Sequence, residues 1–211
     1  MPAAVERPKL WIVAGPNGSG KSSLYTGSRI EDFDESIWII NPDILSLQIS
    51  EAEQCDLRTA NLEAVKRIYA WLEASVAAYR TVGVETVLST GKYRDMVTAA
   101  KARGFEVRLI YVLLKTAQMN IERVRVRVAK GGHAVPEDKI VERRGRSLEQ
   151  LPWFLAAADG AWIFDNSGKA PQLIASKADG IITVDPSALP EIKKAAKLAS
   201  SVASNRRFVK T

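Results

Sequence analysis

The sequence predicts an α/β protein in which helices cover both faces of a mostly parallel sheet. Short apolar runs typical of strands alternate along the chain with longer segments whose apolar residues recur every three or four positions. A glycine-rich turn, Gly15 to Ser22, stands between the first apolar run and a segment that can begin a helix. Both observations are typical of alternating strands and helices.

The predicted elements follow one another in a regular order. Strand character recurs at 9–14, 37–40, 82–88, 106–114, 161–165 and 181–184. Helical patterns occupy 21–28, 57–80, 92–103, 116–130, 137–158 and 187–203. The clearest helix is 57–80, where helical spacing relates Val65, Ile68, Leu72, Val76 and Tyr79. Ligands of parallel sheets bind beyond the carboxyl ends of the strands, so functional residues are expected there.

Composition indicates one domain over residues 1–211. The 211 residues are 46% hydrophobic and 26% charged, which is ordinary for a globular protein with a substantial core. No apolar stretch is long enough to span a bilayer, and the first residues lack the apolar region of a secretory signal. The single cysteine, Cys55, excludes an internal disulfide. We therefore expect a cytoplasmic protein without a membrane partner.

The turn after the first strand spells the Walker A pattern, G-x-x-x-x-G-K-S. Its glycines bring backbone N–H groups close to phosphate oxygens, and the helix that follows directs its positive end at the same group. Lys21 is expected to reach the terminal phosphates of a nucleotide, and the Ser22 hydroxyl to bind Mg²⁺. The expected nucleotide-binding residues are Gly15, Pro16, Asn17, Gly18, Ser19, Gly20, Lys21, Ser22 and Ser23.

Polar residues follow or interrupt three of the predicted strands. Pro42 biases Asn41 away from helical geometry, so Asp43 projects from the rim, where it caps the helix beginning near Ile44 or belongs to a site. Glu85 lies inside an apolar strand, where an acid is costly unless it is paired or belongs to a site. Its alternative is an edge-strand glutamate that faces water. The run 161–164 leads into 165–168, which is either a turn or a third polar strand end.

A basic segment at 121–146 carries eight Lys or Arg residues and four acids. Arg123 and Arg127 share a helix face, and Arg143 lies on the helix that follows the break at 131–133. Two arginine-bearing helices around a glycine hinge are expected to form a lid that closes on phosphates. A solvated, salt-bridged helix pair is the alternative. A nucleic-acid surface has less support, because no aromatic residues interleave with the arginines.

Two further features have simpler interpretations. His133 is the only histidine and has no neighbouring ligand residue, so a metal site is not expected there. It either holds the hinge by hydrogen bonds or contacts a ligand. The segment 187–211 is predicted to be an amphipathic helix with a basic tail.

Together these motifs resemble the zeta-toxin family of P-loop kinases, in particular its small bacterial members. The resemblance covers about residues 9–168. It includes the Walker A loop, 41–43, 85–89, 127–136, Arg143, 146–148 and 164–167. The sequence departs from the family pattern at Val87, where a threonine is frequent, and at Arg144, where an aromatic residue is frequent.

The resemblance implies a P-loop kinase-like three-layer sandwich that transfers the γ-phosphate of ATP to a hydroxyl. The family's best-known acceptor is the 3′-hydroxyl of UDP-N-acetylglucosamine, and a toxin of this kind is paired with an antitoxin protein. By match to the family motifs, Asp43 is the catalytic base and Glu85 helps to bind the sugar. Arg127 and Arg143 stabilise the transferring phosphoryl group, while Thr86 and His133 are further candidates for substrate contacts.

Other functions remain open from the sequence. One is a kinase for another metabolite, a nucleoside or an antibiotic. A nucleotide-dependent switch or nucleic-acid ATPase normally has a Walker B acid at the end of an apolar strand, but the run 107–114 leads to Lys115. A pseudoenzyme that binds ATP and regulates a partner is disfavoured because Lys21, Ser22 and Asp43 are all present.

Overall fold

A computed structural model of the chain describes residues 6–25, Phe33 and 37–208, without the side chains of Tyr25 and 203–208. The strands are β1 (Lys9–Ala14), β2 (Ile39–Ile40), β3 (Val82–Thr86), β4 (Glu106–Leu113), β5 (Gly160–Asp165), β6 (Gln172–Ala178) and β7 (Ile181–Val184). The helices are α1 (Lys21–Tyr25), α2 (Pro42–Ala52), α3 (Leu57–Ala77), α4 (Arg94–Ala102), α5 (Ala117–Ala129), α6 (Glu137–Ala157) and α7 (Pro190–Phe208). Among the described helices, none has both the length and the apolar character needed to cross a membrane.

The seven strands form one sheet in the order β2-β3-β1-β4-β5-β6-β7. The pairings among the first five strands of this order are parallel, whereas β6 and β7 continue the sheet in antiparallel orientation. The predicted α/β class with a mostly parallel sheet is confirmed. β1 lies between β3 and β4, so the carboxyl ends of these strands meet beside the glycine-rich turn.

Every residue of β1 is buried, which explains why its sequence is a continuous apolar run. Leu10 and Ile12 belong to the larger core cluster, with residues of α3, α4, α6 and α7. Trp11 and Val13 point to the other face and pack with Leu24 of α1 in a smaller cluster. Helical layers on both faces therefore hold the central strand rigidly beneath the turn that follows it.

The strand boundaries differ from the predicted ones at several places. The predicted strand 37–40 shortens to β2, and the predicted strand 82–88 ends at Thr86. Leu88 has a φ of +59°, a left-handed conformation that does not continue a strand. The strand β6 is missing from the prediction, since its polar residues Ser176 and Lys177 obscure the apolar pattern. The part of the predicted helix 21–28 that follows Tyr25 lies outside the described residues.

The helix α3 matches the predicted segment but uses a different apolar stripe. Val65 and Tyr79, which belong to the predicted helical spacing, are exposed, and Tyr79 lies beyond the end of α3. The residues that α3 buries are Ala60, Ala64, Ile68, Leu72 and Val76. These residues are spaced by four, and the two alanines allow close packing against Ile49 of α2.

The helix α6 is attached to the sheet at two levels. Near its middle, Arg144 donates to the carbonyl of Leu114 at 3.1 Å, and the Ser147 hydroxyl lies 2.9 Å from that of Tyr111. At its carboxyl end, the Lys177 ammonium donates to the carbonyls of Leu155, Ala156 and Ala158 at 2.7–2.9 Å. These carbonyls include terminal groups without partners inside the helix, so the lysine caps α6 with a charge of the favourable sign.

Two leucines of α3 provide a matched test of this packing. Leu72 is 0% exposed and Leu62 is 61% exposed. We expect Leu72→Ala to lower the free energy of unfolding by about 2–5 kcal/mol, because it leaves a cavity in the core. Leu62→Ala should change it by less than about 0.5 kcal/mol. Urea unfolding followed by tryptophan fluorescence measures both, and equal losses would contradict the described packing of α3.

Candidate functional site

The loop between β1 and α1 requires glycine at three positions. Gly15, Gly18 and Gly20 have φ values of +142°, +72° and +88°, which side chains rarely permit. A Cβ at Gly18 would lie 2.7 Å from the carbonyl oxygen of Asn120, so space also excludes a side chain there. The backbone N–H of Gly15 donates to the carbonyl of Thr86 at 3.2 Å, which ties the start of the loop to the end of β3.

Lys21 lies in the first turn of α1 and folds back over the loop. Its ammonium donates to the carbonyls of Gly15 at 2.8 Å and Pro16 at 3.2 Å. Burial lowers the pKa of Lys21, while the carboxylates of Glu85 and Asp43 oppose that shift. A buried cation that is held beside glycine N–H groups is a suitable partner for phosphate oxygens.

Glu85 occupies the end of β3, beside the loop. It is 8% exposed, so the alternative of an edge-strand glutamate facing water is wrong. Ser22 donates its hydroxyl to Glu85 Oε2 at 2.8 Å, and Asn41 donates its amide to the same oxygen at 3.1 Å. Lys21 Nζ lies 3.8 Å from Oε1. One buried carboxylate therefore joins the ends of β2 and β3 to the start of α1.

This position of Glu85 corrects part of the sequence argument. The absence of a Walker B acid was inferred from the run 107–114, which is β4. The other neighbour of β1 is β3, in which Glu85 pairs with Val13. Glu85 therefore lies near the end of a strand beside β1 and accepts a hydrogen bond from the Walker A serine, Ser22. This is the geometry of a Walker B acid.

Asn41, rather than Asp43, caps the helix α2. The Asn41 side chain accepts hydrogen bonds from the N–H groups of Asp43 at 2.9 Å and Ile44 at 3.3 Å. Asp43 lies inside the first turn of α2, where its charge favours the positive end of the helix. Capping of α2 by Asp43 is therefore wrong. Its exposed carboxylate has no capping role and borders the cavity described below.

The two predicted lid arginines reach the site from α5 and α6. The Arg127 guanidinium donates to the carbonyl of His133 at 2.9 Å, so the backbone of the glycine-rich connection positions it. Arg143 lies in the first half of α6 and borders the same cavity as Arg127. The His133 side chain is half-buried and lines neither of the two cavities at the loop. Its observed contact is with Arg127 and uses only its carbonyl.

Two adjoining cavities meet at Lys21, and both are also lined by Gly18, Glu85 and Arg127. The first, of about 350 Å³, is further bordered by residues from four other elements and loops, including Asp43, Thr86, Ser89, Lys92 and Arg143. The second, of about 740 Å³, is further bordered by Gly20, Ser22, Ser23, Arg123 and Asn166. The site therefore has two compartments with the Lys21 ammonium at their junction.

Magnesium fits the group formed by Ser22 and Glu85. Hydroxyl and carboxylate oxygens are ligands that Mg²⁺ prefers, and the ion usually keeps several waters rather than a full protein cage. The described ranges contain no cluster of three or more His, Cys, Asp or Glu residues that could hold a metal by themselves. The residues present suit an ion that is also held by phosphate oxygens.

The sequence predicts no role for Asn120 or Asn166 at this site, and it predicts Arg123 only as an arginine of the lid. Asn120 of α5 donates its amide to the carbonyl of Asn17 at 2.7 Å. Asn166, which follows β5, donates its amide to the carbonyl of Ser19 at 2.8 Å. Arg123 donates to the carbonyl of Asn166 at 2.6 Å. The segment 165–168, for which a plain turn was one interpretation, therefore contacts the P-loop.

The part of the chain that forms most of this site matches a known family. A family model described as an AAA domain matches residues 10–149, a range that includes the loop, Glu85 and both arginines. A protein of Haemophilus influenzae, described as an uncharacterized protein, is 28% identical over 144 residues. The match covers 65% of this chain and 98% of that protein.

Solved structures with little sequence identity share the fold. A chain of AvrRxo1-ORF1:-ORF2 with ATP has a TM-score of 0.69 and 14% identity, over 94% of this chain and 76% of that chain. A chain of the PezAT chromosomal toxin-antitoxin system of Streptococcus pneumoniae has a TM-score of 0.60 and 13% identity, over 99% of this chain and 89% of that chain. At these identities the likeness concerns the fold, which is P-loop kinase-like.

The cap of α2 can be tested without an activity assay. We expect Asn41→Ala to lower the free energy of unfolding by about 1 kcal/mol, because two N–H groups at the start of α2 lose their acceptor. Asp43→Asn should change it by about 0.5 kcal/mol or less. Urea unfolding of the two variants measures the difference, and a larger loss for Asp43→Asn would contradict the cap assignment.

Proposed function

Since the chain belongs to the AAA-domain family whose model matches residues 10–149, we propose that it is an ATP-dependent kinase. It transfers the γ-phosphate of ATP to a hydroxyl of a small molecule. One observation carries this proposal: the carboxylate of Asp43 borders the same cavity as Lys21, Arg127 and Arg143. A carboxylate opposite three cations is what transfer to a hydroxyl needs, since the reaction requires a proton acceptor and neutralisation of phosphate charge.

The two compartments have different roles in this proposal. The larger one holds ATP, with the loop N–H groups and Lys21 on its phosphates. Mg²⁺ is held by Ser22 with Glu85 beside it, and when bound it neutralises phosphate charge. The buried position of Glu85 against Ser22 supports a place on the metal side, rather than the contact with the sugar that the resemblance implied.

The smaller compartment receives the acceptor. Asp43 orients the acceptor hydroxyl and takes its proton, while Arg127 and Arg143 hold the phosphoryl group as it moves. The cationic lining, which includes Lys92, suits an acceptor that carries its own phosphate groups. UDP-N-acetylglucosamine, phosphorylated on its 3′-hydroxyl, is the first candidate by the zeta-toxin resemblance. A role as the toxin of a toxin-antitoxin pair belongs to the same proposal, supported by the shared fold with a PezAT chain.

A second candidate function is ATP hydrolysis that drives a conformational change or a partner. The bond between Ser22 and Glu85 favours it, because the same arrangement of serine and acid serves nucleotide hydrolysis in P-loop switches. In that case ADP release needs no acceptor. The position of Asp43 next to the arginines gives the kinase the stronger support.

Replacement of Asp43 separates the two functions. We expect Asp43→Asn to lower kcat for phosphoryl transfer by about 10²–10⁴-fold, because the amide cannot take the proton of the acceptor. The affinity for ATP should remain within about twofold, since Asp43 lies in the other compartment. The measurement is acceptor-dependent ADP release with Mg²⁺-ATP and a panel of sugars, sugar phosphates and sugar nucleotides.

The same assay can also contradict the proposal. Unchanged transfer by Asp43→Asn would exclude Asp43 as the base. Release of ADP by the unmodified protein that no acceptor increases, and that Asp43→Asn does not change, would favour hydrolysis. Stimulation of that release by DNA or RNA would point to a nucleic-acid ATPase.

The helix α5 offers a matched pair of arginines. Arg127 borders both compartments, whereas Arg125 lies on another face of the helix and pairs with Glu137 at the surface. We expect Arg127→Ala to lower kcat by about 10²-fold or more with a small change in ATP affinity, because its charge acts mainly in the transition state. Arg125→Ala should leave both parameters within about twofold. Equal effects of the two changes would contradict a specific role for Arg127.

A further inference from the structure

Two asparagines that lie outside the Walker A sequence contact the P-loop, and neither has a role in the function proposed above. Asn120 lies in α5 and is 0% exposed, although it is polar. Asn166 follows β5 and is half-buried. They approach the loop from different elements, and each donates to a loop carbonyl: Asn120 to Asn17 and Asn166 to Ser19.

The orientation of these carbonyls determines the orientation of the next N–H groups. The described chain contains no cis peptide bond, and in a trans peptide the C=O of one residue and the N–H of the next point in opposite directions. The carbonyls of Asn17 and Ser19 point to the asparagine amides. The N–H groups of Gly18 and Gly20 therefore point away from those amides, at the opposite edge of each peptide unit.

The two glycines belong to the wall of the cavities that border Lys21. Gly18 lines both compartments, and Gly20 lines the larger one together with Asn166. In the described part of the chain, no backbone carbonyl accepts a hydrogen bond from the N–H of Gly18 or Gly20. Two such N–H donors in the wall of a cavity that a buried lysine also borders suit an anion with several oxygens, such as a polyphosphate.

We propose that Asn120 and Asn166 are positioning residues, each of which holds one peptide plane of the P-loop so that its N–H faces the phosphates. Asn120 orients the N–H of Gly18, and Asn166 orients the N–H of Gly20. The inference rests on the proposed binding of a nucleotide at this loop, and it adds residues outside the Walker A sequence to the phosphate site.

The same contacts connect the loop with the arginines of α5. Asn120, Arg123 and Arg127 are separated by three and four residues and so share a face of the helix. Arg123 holds Asn166 through its carbonyl, and Arg127 borders the cavity. Asn120 and Asn166 are therefore connected through α5 with Arg127, which borders the cavity. These contacts fix the distance between α5 and the loop.

Amide resonances of selectively ¹⁵N-glycine-labelled protein test the proposal directly. The chain has 13 glycines, and Gly104, an exposed residue that follows α4 and lines neither cavity, serves as an internal reference. Tripolyphosphate is the probe, because it offers phosphate groups without a base, and adenosine is the control without phosphates. In the unmodified protein, tripolyphosphate should shift the amide protons of Gly18 and Gly20 downfield, and adenosine should not.

Two variants assign each amide to its asparagine. In Asn166→Leu the shift at Gly20 should be lost while that at Gly18 persists, because leucine has no donor for the Ser19 carbonyl and adds no charge. Asn120→Leu should give the reverse result. Each variant should bind tripolyphosphate about tenfold more weakly or worse. Asn61→Leu, at an exposed position of α3, is the matched control and should change neither shift.

Replacement of a residue that only stabilises the fold would not remove the shift of one glycine and leave the shift of the other. If Asn120→Leu, at a buried position, does not fold, the half-buried Asn166 still decides the proposal through Gly20 alone. Unchanged shifts at both glycines in a folded variant would overturn the proposal and leave the kinase intact. No shift at any loop glycine in the unmodified protein would instead remove nucleotide binding at this loop, and the positioning roles with it.

Discussion

The buried carboxylate of Glu85 is the interaction on which the arrangement of the site depends. It accepts hydrogen bonds from Ser22 and Asn41 and lies beside the Lys21 ammonium. These residues come from the start of α1 and the junction of β2 with α2, so one acid brings together segments that are far apart in sequence. A buried charge is costly unless it is paired and hydrogen-bonded, and here two of those partners, Lys21 and Ser22, are also residues proposed to meet the nucleotide and its metal.

The sheet and the P-loop could be predicted because their signals are local. β1 reads as a continuous apolar run since both of its faces are buried, and the glycines of the loop follow from backbone conformations that only glycine adopts easily. β6 could not be predicted in the same way. Its Lys177 looks like a surface residue, but its ammonium is buried against carbonyls about 20 residues away in the sequence. Such a partner is visible only in the folded chain.

In the candidate site, too, some residues have a local sequence signal and others do not. The sequence indicates Lys21, Asp43, Arg127 and Arg143 through motifs, and the structure brings all four to one cavity. The roles of the asparagines have no local signal, since Asn120 and its acceptor are 103 residues apart, and Asn166 and its acceptor 147. The contact of Glu85 with Ser22 likewise depends on strand order, because it requires β3 to lie beside β1.

The attachment of α6 at both levels of the sheet restricts how this chain can change in length during evolution. Arg143 lies near the amino end of the helix, and Lys177 holds its carboxyl end. Each residue of an α-helix turns the next by about 100°, so a single insertion or deletion between these points would rotate Arg143 away from the cavity or displace the anchored end. The spacing along α6 should therefore be retained among proteins that keep this site, while the surface loops are free to vary.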